Sequence, residues 1–226
     1  MAVGCRIRRN ITRPDRALVE AFRGIPVANI DDCVNRLGSV DAKLEPMNKS
    51  PLLGVAFTVK CPAGDNLMFH KALDLAQPGD VLVIAAGGSL SRALCGEIMA
   101  TYAKSRGLAG FIIDGCVRDR DELAQFTDFP VYARGVVPNG PYKNGPGEIN
   151  FPVSVGGQVI CPGDILVGDG DSVIVIKPEE AEQLAKDAAA VHAKEEGQLA
   201  GILSGKGFPR PFVDETLEKL GVEYVD

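Results

Sequence analysis

Residues 87–121, GGSLSRALCGEIMATYAKSRGLAGFIIDGCVRDRD, concentrate the residue types that can hold a small anion and act on it. Gly96 stands where a helix begins, so the amides of Glu97, Ile98 and Met99 lack intrahelical acceptors and form a ready carboxylate or phosphate site. The following strand closes in Asp114-Gly115-Cys116-Val117-Arg118-Asp119, and ligands of open α/β sheets gather beyond such carboxyl ends. Arg118 offers a planar fork for a carboxylate or keto oxygen, and Asp119 offers a hard oxygen suited to Mg²⁺ or Mn²⁺. The same pair also reads as a surface ion pair opening a helix, with Asp119 as its cap.

These residues need a frame. Thr12-Arg13-Pro14 opens a helical segment that Gly24 closes, and residues 29–37 form a second helix ending at Gly38. Residues 53–60 read as a strand, and Asp65 caps a helix running to Leu75, with Pro78-Gly79 as the stop. A buried strand at 81–86, a helix over 96–106 closed by Gly107 and a strand at 109–113 make a β-α-β unit with parallel strands. Beyond Phe126 short strands at 131–133, 149–155, 158–160, 165–167 and 173–176 alternate with turn residues, which suggests antiparallel pairing. A long helix follows from about residue 179 to 203, then a last one near 211–220. No linker interrupts the composition, so residues 1–226 are expected to form one domain. Pro78-Gly79-Asp80-Val81-Leu82-Val83 and Pro162-Gly163-Asp164-Ile165-Leu166-Val167 echo each other, as an internal duplication or as one turn-to-strand device used twice.

Composition bounds the function classes. The 226 residues are 46% apolar and 24% charged, ordinary for a globular chain. Lys plus Arg is 24 against 30 for Asp plus Glu, a net charge of −6, which does not advertise a nucleic acid as partner. The apolar runs at 81–86 and 108–113 fall far short of the ~18–20 residues that span a bilayer. MAVGCRIRRN has basic residues without a following apolar stretch, so a soluble cytoplasmic protein is expected, away from membranes. Its six cysteines form no CxxC pair and only two histidines accompany them, which favours small buried thiols over a zinc site or disulfides. GxxxxGK[ST], GxGxxG and GxSxG are all missing. Asp169-Gly170-Asp171 reads as a hairpin turn, since apolar residues 173–175 occupy positions where calcium ligands would follow.

The chain resembles the family that holds the 4-hydroxy-4-methyl-2-oxoglutarate aldolases and the regulator of ribonuclease E activity A (RraA). The resemblance rests on Asp32 with Leu37-Gly38, Gly64-Asp65-Asn66-Leu67 followed by His70, both Pro-Gly-Asp stretches, Gly96-Glu97 and Asp114 to Asp119. It implies a β/β/α sandwich of the swivelling type, mixed sheets flanked by helices, assembled as homotrimers or homohexamers with sites between subunits. It further implies that Gly96, Glu97, Ile98 and Met99 bind a pyruvoyl carboxylate through backbone amides. Arg118 would contact substrate, and Asp119 would hold a divalent cation (Mg²⁺ or Mn²⁺) largely among waters. The family's non-catalytic regulator lacks a carboxylate after the arginine, whereas this chain keeps Asp119. The implied chemistry is cleavage of a 2-keto acid into a pyruvate enolate and a carbonyl product. Decarboxylation of oxaloacetate would use the same site. The alternative from another class is an idle regulator that binds a ribonuclease by protein–protein contact.

Further residues carry two readings each. Glu97 is either an acid beside the metal-bound waters or a carboxylate favoured by the helix dipole. Asp31 and Asp32 either reach a neighbouring site or lie on a solvated face. His70 is expected to be a packed helix histidine, and Lys60 would be a Schiff-base nucleophile only if desolvated. Residues 184, 188, 191, 199 and 202 form an apolar stripe on which Glu195 also falls, a costly place for an unpartnered carboxylate. The stripe could also fray before Gly197 and leave Glu195 exposed. The resemblance offers Glu195, with Glu196 as reserve, as a carboxylate reaching a neighbouring subunit's site.

Overall fold

Alternation along the strand-forming runs sets the layers. Leu82 and Ile84 pack with one buried cluster, while Val81, Val83 and Ala85 pack with another, so both faces of one sheet are covered. The computed structural model describes residues 4–225. Its first half runs β1 (Cys5–Ile7), α1 (Arg16–Glu20), α2 (Val27–Cys33), β2 (Glu45–Pro46), β3 (Leu52–Lys60) and α3 (Leu67–Leu75). Next come β4 (Asp80–Cys95), α4 (Glu97–Ser105), β5 (Gly110–Val117), α5 (Arg120–Leu123) and β6 (Val131–Val136). The remainder is β7 (Gly147–Ile149), β8 (Val153–Val155), β9 (Gln158–Ile160), β10 (Ile165–Gly168), β11 (Val173–Ile176), α6 (Ala181–Leu203) and α7 (Pro211–Leu220).

The large sheet has the order β1-β7-β3-β4-β5-β6-β2, and the β10–β11 hairpin joins β3. Strands β3, β4, β5 and β6 are mutually parallel. Helices α3 and α4 cover one face through Phe69, Ala72, Leu73, Ala100 and Ala103, set against Phe57, Leu82, Ile84, Phe111 and Ile113. Edge-on stacking of Phe69 on Phe111 and of Phe111 on Phe129, each at 5.0 Å, adds about 1 kcal/mol per pair beyond area burial. The antiparallel pair β8–β9 covers the other face through Val153, Val155 and Ile160. This is the expected β/β/α sandwich. A third cluster ties α1, α2 and the first half of α6 to β10 and β11.

The repeated Pro-Gly-Asp stretches form the same turn on either side of β3. Gly79 and Gly163 adopt φ values of 88° and 98°, which favour glycine. Asp80 accepts from Gln77 N–H at 2.8 Å, and Asp164 accepts from Cys161 N–H at 2.7 Å. Both carboxylates are buried and paired, Asp80 with Arg13 at 2.7 Å and Asp164 with Lys177 at 2.5 Å. The strands they open flank Val55, one parallel and one antiparallel.

Several elements differ from the sequence expectation. The strand expected at 81–86 runs on to Cys95, with Gly87 and Gly88, both at φ 69°, absorbing the first of its register shifts against β5. The segment expected at 149–155 splits into β7 and β8, with Asn150 at φ 61° between them. The β6 strand pairs parallel with β5, where antiparallel pairing was expected. The second helix ends at Cys33, since Asn35 and Arg36 take positive φ. Asp169-Gly170-Asp171 is a hairpin turn, with Asp169 accepting from Asp171 N–H at 2.9 Å. All six cysteines are free, but only Cys61, Cys95 and Cys116 are buried, and Cys5 is exposed. Among the described residues no helix is long and apolar enough to cross a membrane.

Candidate active site

Strand pairing brings the two halves of the site together. Cys95 of β4 lies opposite Val117 of β5, and Arg118 N–H donates to Cys95 O at 3.0 Å. Gly96 and Arg118-Asp119 therefore leave the same sheet edge side by side, at the carboxyl ends of parallel strands. Asp119 has φ 59° and ψ 48°, a left-handed conformation uncommon outside glycine but better tolerated by Asp and Asn. Its side chain does not cap its own helix α5. Instead, Oδ2 accepts from Glu97 N–H at 3.0 Å and caps α4. Arg118 Nε lies 3.7 Å from that oxygen, a loose and half-exposed ion pair. A β-carbon on Gly96 would collide with Asp119 Oδ2 and stand 2.9 Å from Arg118 Cγ, so glycine is required for the carboxylate to sit over α4.

Three free amides were expected after Gly96, and one is taken. Glu97 N–H serves Asp119, and the helical ladder begins where Ala100 N–H donates to Gly96 O. The amides of Ile98 and Met99 precede that ladder and remain for an anion. They belong to a cleft of about 300 Å³ whose walls include Asn66, His70, Gly96, Met99, Arg118, Asp119 and Lys143. Asn66 is 2% exposed and donates through Nδ2 to Leu94 O at 2.8 Å, while its Oδ1 is buried with no partner. Burial pushes the Cys95 thiol well above its ordinary range, which removes it as a nucleophile beside Gly96.

The donor set fits a hard divalent cation. Asp119 Oδ1 accepts no hydrogen bond from the described residues, and the contacts from Glu97 and Arg118 both go to Oδ2. Among the described residues no group of three His, Cys, Asp or Glu side chains converges on a metal position. A single carboxylate with a chelating substrate and waters suits Mg²⁺ or Mn²⁺, which keep water ligands, and does not suit a dedicated zinc cage.

Only some of the remaining candidates reach this cleft. Gly96, Ile98, Met99, Arg118 and Asp119 all line the cleft, whereas the Glu97 side chain is exposed and lies outside its lining. Glu195 is also exposed and outside the cleft of its own chain, where Oε2 accepts from Asn29 Nδ2 at 2.7 Å. Helix α6 does not fray at Gly197; it continues to Leu203 with Leu199 59% and Ile202 41% exposed. Glu196 faces His192 at 3.7 Å. Asp31 accepts from Gly38 N–H at 3.1 Å and Asp32 pairs with Arg36 at 2.9 Å, so both have partners within the chain. His70 was expected to be packed in its helix. It is instead exposed on α3 and lines the cleft, with partial burial and the Lys143 charge holding its pKa below the ordinary value. Lys60 is exposed at the end of β3, so the desolvation a Schiff-base lysine needs is missing. Sequence reasoning left Asn66 and Lys143 without a role, although Asn66 stood in a quoted motif.

Comparisons with known proteins show the family and the fold. The family described as RraA-like, Aldolase/RraA, matches residues 27–175. A Halalkalibacterium halodurans protein provisionally named 4-hydroxy-4-methyl-2-oxoglutarate aldolase is 38% identical over 81% of this chain and 88% of its own. A Pseudomonas syringae pv. tomato structure shares the fold with a TM-score of 0.77 at 24% identity, covering 88% of this chain and 98% of the other. A Streptomyces coelicolor structure, described as an unusual member of the RNase ES inhibitor RraA protein family, is 26% identical with a TM-score of 0.72. That match covers 83% of this chain and 98% of the other.

Proposed function

The chain belongs to the RraA-like family, and from that premise we propose that it is a divalent-metal-dependent lyase. It would cleave 4-hydroxy-4-methyl-2-oxoglutarate-type 2-keto acids to pyruvate, with oxaloacetate decarboxylation at the same site. One observation carries the reading: Asp119, Arg118 and the start of α4 converge on one cleft, locked by the 3.0 Å bond from Glu97 N–H to Asp119. Provisional aldolase names among the relatives support the same class.

In this reading the amides of Ile98 and Met99 hold the substrate carboxylate. A Mg²⁺ or Mn²⁺ ion at Asp119 would supply Lewis-acid polarisation of the keto oxygen. Arg118 faces the negative charge that develops on that oxygen as the C3–C4 bond breaks and its electrons pass into the C2–C3 bond. The proton of the 4-hydroxyl needs a base, and C3 needs a proton afterwards to give pyruvate. An Arg118→Lys protein is expected to lose about a hundredfold in kcat/KM for pyruvate release, because an ammonium cannot reproduce the planar fork. Oxalate, a planar dianion shaped like the enolate, is expected to compete with substrate. Non-competitive inhibition, or an Arg118→Lys enzyme as active as its parent, would contradict the enolate site.

We assign to Glu195 of a neighbouring copy, in a homotrimer or homohexamer, the role of the carboxylate that would help a bound water take the 4-hydroxyl proton. Ile98 at the cleft rim is 78% exposed with Tyr102 one turn further along α4, and Leu199 and Leu203 are uncovered near Glu195 on α6, two apolar surfaces whose exposure in the single chain supports association. Co-assembled Asp119→Asn and Glu195→Gln chains should recover part of the activity that each lacks alone. Zero recovery despite demonstrated subunit exchange would remove Glu195 from the site. The regulator reading retains one supporting observation, the likeness to the Streptomyces RNase ES inhibitor family member. Pyruvate release separates the two.

A further inference from the structure

Asn29 is a polar side chain at a place where helix packing calls for an apolar one. It lies on α2 between Val27 and Ile30, both in the cluster that joins α2 to the first half of α6, and is 3% exposed. Its Nδ2 donates to Glu195 Oε2 at 2.7 Å, whereas its Oδ1 is buried with no partner. An unpaired buried oxygen costs stability, and a leucine of similar size would avoid that cost. The two helices do not need the bond to stay together, since Val27 and Ile30 already cluster with Leu184, Ala185 and Ala188.

The donor is also spent differently from those of the other buried asparagines. Asn48 donates to Leu123 O and Phe129 O, Asn66 to Leu94 O and Asn150 to Arg8 O, so each of these fastens a stretch of main chain. Of the four, Asn29 alone donates to a carboxylate, and that carboxylate is exposed. Glu196, the next residue on α6, is turned to His192 instead. A carboxylate offers two acceptor oxygens, and the short N–H contact takes only one of them. Glu195 Oε1 accepts no hydrogen bond from the described residues.

We propose that Asn29 is the positioning residue for Glu195, holding Oε2 so that Oε1 is presented to the water that takes the 4-hydroxyl proton. The inference rests on the cleavage reading and the assignment of Glu195 above, and adds a residue to which neither gives a role. As the C3–C4 bond breaks, the 4-hydroxyl proton passes to that water, whose own proton passes to Oε1. The O–H electrons complete the new carbonyl, and the C3–C4 pair goes to the enolate. Loss of CO₂ from oxaloacetate has no hydroxyl proton to remove, so it makes no demand on Asn29.

The test compares the two reactions in one protein. Pyruvate release from 4-hydroxy-4-methyl-2-oxoglutarate and from oxaloacetate is measured in Mg²⁺ for the parent and for Asn29→Leu. The substitution should lower kcat for aldol cleavage about tenfold with KM within about twofold, because an untethered carboxylate meets the water in the right direction less often. The ratio of cleavage to decarboxylation should fall by the same factor. Melting temperature and assembly should match the parent, since an unpaired oxygen is removed; if they do not, Asn29→Ala, which only deletes atoms, is read for the same ratio. An unchanged ratio overturns the proposal, whether both rates hold or both fall, because a merely structural residue affects the two reactions alike. A loss confined to KM overturns it as well. In either case a parent that cleaves leaves the lyase reading standing. A parent that cleaves nothing rejects the cleavage reading, and this role with it.

Discussion

Asp119→Asn is expected to lower metal-dependent pyruvate release about a thousandfold while the protein keeps its fold. Asparagine is the informative choice, because it is among the residues that best tolerate the left-handed backbone found at φ 59°. Its side-chain oxygen can still accept from Glu97 N–H, the contact now made by Asp119 Oδ2 at 3.0 Å. What disappears is the negative charge, and with it the only carboxylate among the cleft-lining residues. Circular dichroism and thermal melting should match the parent, since the residue is partly exposed beyond the sheet core. Mn²⁺ binding, followed by electron paramagnetic resonance, should weaken in parallel with activity. An Asn variant that binds Mn²⁺ and turns over as the parent does would reject the metal role of Asp119.

Gly96→Ala should reach a similar loss by moving the carboxylate instead of neutralising it. The added methyl would overlap Asp119 Oδ2 and stand 2.9 Å from both Asp119 Cγ and Arg118 Cγ. The Gly96 backbone itself, at φ −153°, is extended and accepts alanine without strain. The collision must therefore be relieved by swinging Asp119 and Arg118 away from α4, which breaks the bond to Glu97 N–H. A displacement of about 1 Å at a reacting centre costs on the order of a hundredfold in rate. Steady-state assays at saturating Mg²⁺ should show the loss in kcat as well as KM. Unchanged kinetics in Gly96→Ala would mean that the carboxylate position over α4 does not matter to turnover.

The half of the site on β4 and β5 was legible in the sequence because its signals are local. A glycine opening a helix and an Arg-Asp pair closing the next strand each follow from their neighbours in the chain, and a β-α-β unit places them side by side. Asn66, His70 and Lys143 carry no such signature. They join the cleft through the Asp65 carboxylate, whose N–H donors lie 79 and 80 positions further along the chain. A histidine in DNLMFHKALDL looks like helix packing until that loop arrives beside it. The same distinction holds for the fold. β9, β11 and α7 stand where their turn residues put them, because Gly, Pro and Asp punctuate their ends. Strand β4 overran its expected end at residue 86, since Gly87 and Gly88 bend a strand that stays paired to β5. Partner choice for β6 was also hidden, because strand direction depends on the sheet it joins and not on its own residues.

The most direct test of the central claim is pyruvate release from 4-hydroxy-4-methyl-2-oxoglutarate and oxaloacetate, with Mg²⁺ or Mn²⁺ and then with excess EDTA. The geometry at Asp119 and Arg118 predicts pyruvate from both acids with either cation, loss on chelation and recovery when the cation is returned. No pyruvate from either acid, or undiminished release in EDTA, would contradict it.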